Sequence, residues 1–494
     1  MVENKKIKHI CIVGGGSAGW LTALWCVKTM PHMKVTLVES PDIPKIGVGE
    51  ATLVAFDEFI KNLGIDAQTM MLESDGVFKS GILFPNWGVH DTPVWHPFSF
   101  HTNEEDPRMN RFDLFYNSGL PPQEIYRYAM CHYDTSVIHN KVPPPTQQTG
   151  YHVDCIKLAN YISDNIRDKI DYKQENVKHV EVENSNIKFI ELEYGLKVNA
   201  DLFIDCTGFR KLLSNSIPNS EWICKDYMLF NNSAVAGHVK YINESEELKP
   251  YTTCEAVEWG WIWQIPISGR IGSGLVYDDS LISKEDAEAY FKNYWKGRVI
   301  EEQGVKHIKF KPEYNKNNWR GNCLSIGLAS GFIEPLESTG LFLLTEGIKS
   351  ATNRIRKGFF NTADRENFNS EMSGRYEESM DFVGLHYMNS NAQGPFWDKI
   401  RAEWQPTESL KTIIETYQEM PVDWNFNQDD LNFMHLNWHL WLHAVGINAK
   451  SIPVDPKQAR QALEYYYKRF EKYLHLQSFT NTQLRDIRLD LRNS

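Results

Sequence analysis

The chain has 494 residues, 42% hydrophobic and 23% charged, a globular composition with apolar mass for two or three packed units, unlike a disordered tail or a small disulfide scaffold. Its formal charge of −12 is spread along the chain, and no Lys/Arg-rich run is long enough to track phosphates, which sets nucleic acid and anionic membranes aside as partners. Cys11, Cys26, Cys131, Cys155, Cys206, Cys224, Cys254 and Cys323 show neither C-x-x-C pairs nor regular spacing, as expected of reduced thiols in a cytoplasmic protein.

The N-terminus passes into an apolar strand without a cleavable signal pattern. The uncharged run Ile10 to Val27 carries Gly14, Gly15, Gly16, Ser17 and Gly19 in its middle, so it reads as strand, glycine turn and helix rather than a membrane span. With the Pro31 break and the strand KVTLVE, residues 8–39 form one βαβ unit. Gly14, Gly16 and Gly19 make G-x-G-x-x-G directly after the strand and at the start of the helix, and Glu39 ends the next strand, 20 residues beyond Gly19. In this dinucleotide fingerprint Gly14 permits the tight turn, Gly16 lets the backbone approach a pyrophosphate and Gly19 lets helix and strand pack closely. Helix N–H groups, including those around Ser17 and Ala18, face the phosphates, and Glu39 takes the ribose hydroxyls.

A mixed region to about residue 150, rich in Pro, His and aromatic residues, reads as loops and short elements over an α/β core. A helix from Val153 follows, then β-type alternation over 179–198 and the buried strand DLFIDCTG, ending at Thr207 and Gly208. Such a strand end is one that flavoproteins pass under FAD, and an ordinary central strand closed by a turn is the alternative. Residues 222–277 read as strands, with Trp261, Trp263, Ile265 and Pro266 on a strand that ends at the proline. A helix starts near Ser283. Residues 323–358 read as strand, turn and long helix, and everything beyond about 350 as amphipathic helix. The 15 Trp, 22 Tyr and 25 Phe exceed what core filling needs and suit a pocket for a flat ligand. His435, His439 and His443 recur at helical spacing, but the outer pair lies about 12 Å apart along an axis rising 1.5 Å per residue, too far for one ion with ligands at about 2 Å. A packed aromatic helix is the reading, and no metal is expected.

The blocks GGGSAGW (14–20), IGVGEAT (46–52), FKSGILFPNW around Lys79, DLFIDCTGFR, WGWIWQIPI (259–267) and GFIEPLESTGL (331–341) resemble the flavin-dependent tryptophan halogenases, within the FAD monooxygenase fold class, over most of residues 8–400. The resemblance implies an α/β, Rossmann-like FAD-binding monooxygenase fold with a β-sheet substrate part and a mainly helical C-terminal part. Residues 1–110, 150–215 and 320–350 would form the discontinuous FAD module, 111–149 and 216–319 the substrate-side sheet and loops, and 351–494 a helical region completing the pocket.

The resemblance further implies non-covalent FAD, reduced by a separate flavin reductase, which with O2 and halide yields hypohalous acid. That acid is delivered through a tunnel to Lys79 and halogenates an electron-rich aromatic. A buried ammonium suits this task as a compact donor with an easily lowered pKa. Glu337 corresponds to the second catalytic group, with Glu334 its rival. It would polarise the hypohalous acid and accept the ring proton. The backbone amides of Thr339 and Gly340, opening a helix, would hold halide. Ile46, Val48, Ala51 and Leu328 would line FAD, the Trp261–Pro266 element would shield flavin and tunnel, and His96 and Phe98 would grip the substrate ring.

The tryptophan-specific head-group clamp has no counterpart in 400–494, which leaves a larger indole, a pyrrole or a phenol open as substrate. A homo-oligomer is compatible with the sequence. The competing readings are a flavin monooxygenase that hydroxylates an aromatic, and a catalytically silent flavin-binding protein.

Overall fold

The computed structural model describes residues 6–43, 47, 49–98, 149–356, 361–419, 432–433 and 435–447, with isolated positions beyond. The chain divides into two compact units, one of residues 1–75, 153–226 and 310–380, the other of 76–152, 227–309 and 381–494.

The first unit is built on a six-stranded sheet ordered Trp319–Arg320, Cys323–Ser325, Leu202–Asp205, His9–Val13, Lys34–Glu39, Asp171–Gln174. Every neighbouring pair is parallel except the first. Parallel strands buried on both faces read as continuous apolar runs, and HICIV, LVE and LFID do so. The helix Ser17–Thr29 follows the first strand with no acidic first turn and no side-chain cap. Its N-terminal amides are therefore not taken by a cap.

The helix Cys155–Ile166 packs against it. Cys155, Leu158, Ala159, Ile162 and Ile166 supply its buried stripe, and Asp154 accepts from the amides of Ile156 and Lys157, a cap contributing about 1 kcal/mol. A three-stranded antiparallel layer, Val177–Glu183, Asn186–Leu192 and Lys197–Val198, closes the core below Cys11, Val13 and Phe203. Within the aromatic-rich stretch, Ala55–Asn62 and Ala67–Glu73 are helices, the first burying Phe56, Phe59 and Ile60.

The second unit holds a seven-stranded sheet ordered Lys306–Lys309, Ser233–Val239, Arg270–Tyr277, Gly260–Ile267, Tyr251–Val257, Gly81–Phe84, Val94–Pro97. It is antiparallel except between Tyr251–Val257 and Gly81–Phe84. The helix Lys284–Tyr294, capped by Ser283, covers one face with Phe291 against Val235, Ile262 and Leu275.

The strand expected to end at Pro266 runs on to Ile267. Its pairing with Tyr251–Val257 stops at Gln264 while pairing with Arg270–Tyr277 continues, so the missing proline N–H falls where no partner strand needs it. The helices Pro395–Glu403, Glu408–Glu419 and His435–Ala444 complete the described C-terminal part. No helix among the described residues is long and apolar enough to cross a membrane.

Candidate active site

In the first unit the glycine loop is closed against protein on two sides and open on the third. Gly14 has φ +119°, and a Cβ there would lie 2.2 Å from the Cys206 carbonyl oxygen; a Cβ at Gly19 would lie 1.8 Å from the Gly14 oxygen. At Gly16 a Cβ would meet nothing within 4 Å. Gly14 N–H donates to Val38 O and Cys206 N–H to Val13 O, both at 2.8 Å, which fixes the loop between its two neighbouring strand ends. The Glu39 carboxyl lies beside Gly15 and accepts from the Tyr172 hydroxyl at 3.0 Å. A rigid cradle with one open face, free helix amides and a carboxylate at its rim is the shape and chemistry that a dinucleotide pyrophosphate and ribose require, so these residues fit FAD.

The Thr207 hydroxyl is engaged within its own turn: it donates to Asp205 Oδ1 at 2.6 Å and accepts from Leu212 N–H at 2.8 Å. Asp205 Oδ1 also accepts the Thr207 amide, and Oδ2 takes the amides of Leu213 and Ser214; these four bonds are why a carboxylate is tolerated in full burial. Gly208, at φ +65°, has open space at its Cβ position. Gly327 lies under Ala18, so the turn Gly327–Ala329, which carries Leu328, joins the loop and the Gly208 turn. Ser17 turns its hydroxyl to the Cys155 carbonyl at 3.5 Å. Ala51 lies on the strand Glu50–Ala51, while Ile46 and Val48 lie outside the described residues.

Glu337 closes the short turn Pro335–Glu337; it and Glu334 are fully buried. Ser338, at φ +59°, turns the backbone into the helix Thr339–Arg356, whose first amides have no intrahelical acceptor. The Thr339 hydroxyl is buried and makes no hydrogen bond, and Gly340 opens on space at its Cβ position.

In the second unit Lys79, at the end of the strand Val77–Lys79, has 0% exposure. Its ammonium lies 4.6 Å from the centroid of the Phe98 ring, a cation–π contact. Phe98 is held there by its amide, which donates to Ser80 O at 2.8 Å. His96 is buried on the edge strand opposite Ile82; its ring meets Phe98 edge-on at 6.4 Å and 87° and Phe382 at 6.0 Å.

Trp261 and Trp263 share one sheet face, ring centroids 6.1 Å apart, and Ile265 follows on that face by strand alternation. The Trp263 ring lies over Gly274, its partner in the register: a Cβ there would be 2.2 Å from Trp263 Cη2.

Two residues beside these were not singled out in the sequence. His152, buried on Gly150–Val153, has Nδ1 at 3.0 Å from Pro266 O and Nε2 at 2.8 Å from Thr252 Oγ1. Burial, and then the Lys79 charge, push its pKa well below the ordinary imidazole value. Asn437 bonds His96 through its amide. The only sequence sign of His152 is one polar residue inside the apolar strand GYHV.

The histidine-rich helix is packed. His439 meets Tyr417 edge-on at 5.2 Å, His443 stacks on His90 at 5.4 Å, and Trp441 stacks on His386 at 3.6 Å. Among the described residues no group of three or more His, Cys, Asp or Glu side chains could hold a metal ion.

Solved structures of flavin-dependent halogenases share this fold. Xcc4156 from Xanthomonas campestris matches with a TM-score of 0.88 at 25% identity, covering 98% of both chains. The tryptophan 6-halogenase SttH from Streptomyces toxytricini matches at 0.86 and 26%, covering 98% of this chain and 100% of that one. By sequence, the tryptophan 6-halogenase ThaL of Streptomyces albogriseolus is 31% identical over 85% of this chain and 84% of its own length. The tryptophan 7-halogenase RebH of Lentzea aerocolonigenes is 30% identical over 84% and 82%. The tryptophan halogenase family pattern matches residues 9–460, and the chain belongs to that family. It is a flavin-dependent halogenase, an oxidoreductase with a Rossmann-like FAD-binding fold.

Proposed function

We propose that this enzyme halogenates an electron-rich aromatic of the indole, pyrrole or phenol type at Lys79, with reduced FAD brought by a separate reductase. The observation that carries the reading is the complete burial of the Lys79 ammonium against the Phe98 ring in a chain of this family. Burying an ammonium costs desolvation, and a role in the reaction is a reason to keep it there. The 0% exposure of Glu337 supports the second role.

FAD would be held non-covalently by Gly14, Gly16, Ser17, Ala18 and Gly19 at the pyrophosphate and by Glu39 at the ribose, with Ile46, Val48, Ala51, Thr207, Gly208 and Leu328 along its length. When bound in reduced form with oxygen, it supplies the two-electron oxidising power that turns halide into hypohalous acid. The amides of Thr339 and Gly340 hold the halide as a helix N-terminus holds any small anion. The Lys79 ammonium donates a hydrogen bond to the oxygen of the hypohalous acid, which raises the electrophilicity of its halogen; as the halogen bonds to the ring carbon, the O–halogen bond breaks and the hydroxide takes that proton and leaves as water. Glu337 takes the proton that the ring loses as it regains aromaticity. Trp261, Trp263, Ile265 and Pro266 keep the organic substrate and bulk water away from the flavin, and His96 and Phe98 hold the ring by its faces and edges.

The test is mass spectrometry of an indole and phenol panel with the protein, FAD, a flavin reductase, NADH, oxygen and each halide in turn. A halogen isotope pattern is expected, absent in Lys79→Ala. An added oxygen without halogen would make the protein a hydroxylase, and peroxide alone under every condition would make it catalytically silent.

A further inference from the structure

We propose that His152 is the positioning residue for Lys79, and that it ties the lysine strand to the double-tryptophan strand; the proposal rests on the reading that Lys79 presents the hypohalous acid. The register pairs Val77 with His152 and Lys79 with Gly150. Side chains alternate faces along a strand, so Lys79 and His152 stand on the same face, one diagonal step apart, within reach of a long side chain.

The imidazole is fixed from two further strands. The Pro266 carbonyl can only accept, so Nδ1 carries the proton, and Nε2 of the neutral ring accepts from the Thr252 hydroxyl. Both nitrogens are thereby used and the ring cannot flip without losing a buried hydrogen bond. Thr252 lies on Tyr251–Val257 and Pro266 on Gly260–Ile267, so one ring joins three strands, the last being that of Trp261 and Trp263.

The ring also suits its neighbour electrically. A cation in that place would repel the Lys79 ammonium, both groups being fully buried, and a carboxylate would draw it into an ion pair. A neutral, orientated imidazole does neither, and leaves the ammonium directed at Phe98. Burial and the Lys79 charge both favour the neutral form.

The experiment measures two products per flavin oxidised in the full-length protein with bromide: brominated indole or phenol, and bromination of monochlorodimedone, a diffusible trap for hypobromous acid. In His152→Ala the ring product falls at least tenfold while the trap signal is unchanged or higher, because the acid is made but no longer presented. His152→Gln, which keeps a donor and an acceptor at similar reach, restores ring product to within threefold of wild type. Thr252→Val, which frees one ring nitrogen and leaves packing volume intact, gives the same split in milder form and serves where His152→Ala fails to fold.

Ring product undiminished in both His152→Ala and Thr252→Val overturns the proposal, and so does a parallel fall of both signals, which marks a merely structural histidine. Failure of the underlying reading is separate: Lys79→Ala that still brominates the ring removes the lysine from the reaction whatever His152 does.

Discussion

Asn437 donates its amide N–H to Nε2 of His96, 341 residues away in the chain. An amide nitrogen has only protons to offer, so Nε2 is the acceptor and the neutral ring carries its proton on Nδ1. The helix His435–Ala444 therefore sets the tautomer of His96.

Asn437→Ala releases that ring. With His96 as a substrate contact, the expected result is a KM for the aromatic substrate raised about tenfold, roughly one buried hydrogen bond, with kcat changed less. Steady-state kinetics on the accepted substrate measure it, and an unchanged KM takes His96 out of the pocket.

Gly16 and Gly19 separate binding from folding. A Cβ at Gly19 would collide with the Gly14 carbonyl, whereas Gly16 has room. Gly19→Ala is expected to reduce soluble, folded protein sharply. Gly16→Ala should melt within a few degrees of wild type and bind FAD at least tenfold more weakly, as seen by flavin fluorescence titration. Equal FAD affinity in Gly16→Ala would contradict pyrophosphate contact at that residue.

Glu337→Gln keeps shape and burial while removing the base. Product formation is expected to drop about 10²-fold or more, the usual scale of general-base loss, with FAD binding intact. Glu334→Gln is the control, and a larger loss there than in Glu337→Gln would exchange their roles.

Thr339→Val deletes a buried hydroxyl that makes no hydrogen bond. Replacing such a group by a methyl of equal size costs little or stabilises, so the melting temperature should hold or rise. Halide dependence should also persist, because backbone amides do the holding. A tenfold weaker halide response would bring the hydroxyl itself into the anion site.

His443, half-buried and facing His90, has its pKa lowered to about 4 by desolvation and then by His90, and that of His152 is lowered too. An unfolded chain binds these protons near pH 6.5, so below that pH the unfolded state holds more protons and stability declines as pH falls toward the folded-state values. His443→Gln should remove part of this acid slope, about 1 kcal/mol at pH 5 after allowing for solvent screening. Melting curves between pH 7.5 and about pH 4.5, spanning that window, would show it as a flatter dependence.

The first βαβ unit was legible in the sequence because a glycine fingerprint, strand alternation and the Pro31 break all act locally: His9–Val13, Ser17–Thr29 and Lys34–Glu39 fall where they were expected. The Ser283 cap and the helix after it were legible for the same reason. What stayed hidden depends on pairing at a distance. His152 is 114 residues from Pro266, and nothing near either position announces the bond. Pro266 itself was misread as a strand end, since a proline stops a strand only where both edges are paired, and edge pairing is set by register. The helices Ala55–Asn62 and Ala67–Glu73 were blurred by the surrounding prolines and aromatics.

Gly274 lies beneath the Trp263 ring with no room for even one carbon, and this ties the evolution of the two positions together. A side chain at 274 would lift the indole from the sheet, while a smaller residue at 263 would leave a void above the glycine. Laboratory selections that change one alone should therefore be dominated by damaged variants, and productive reshaping of this wall should arrive as coupled pairs, a smaller ring at 263 with alanine or serine at 274. In the fitness landscape the two strands carry one gene-level unit of change, with strong epistasis between codons eleven positions apart.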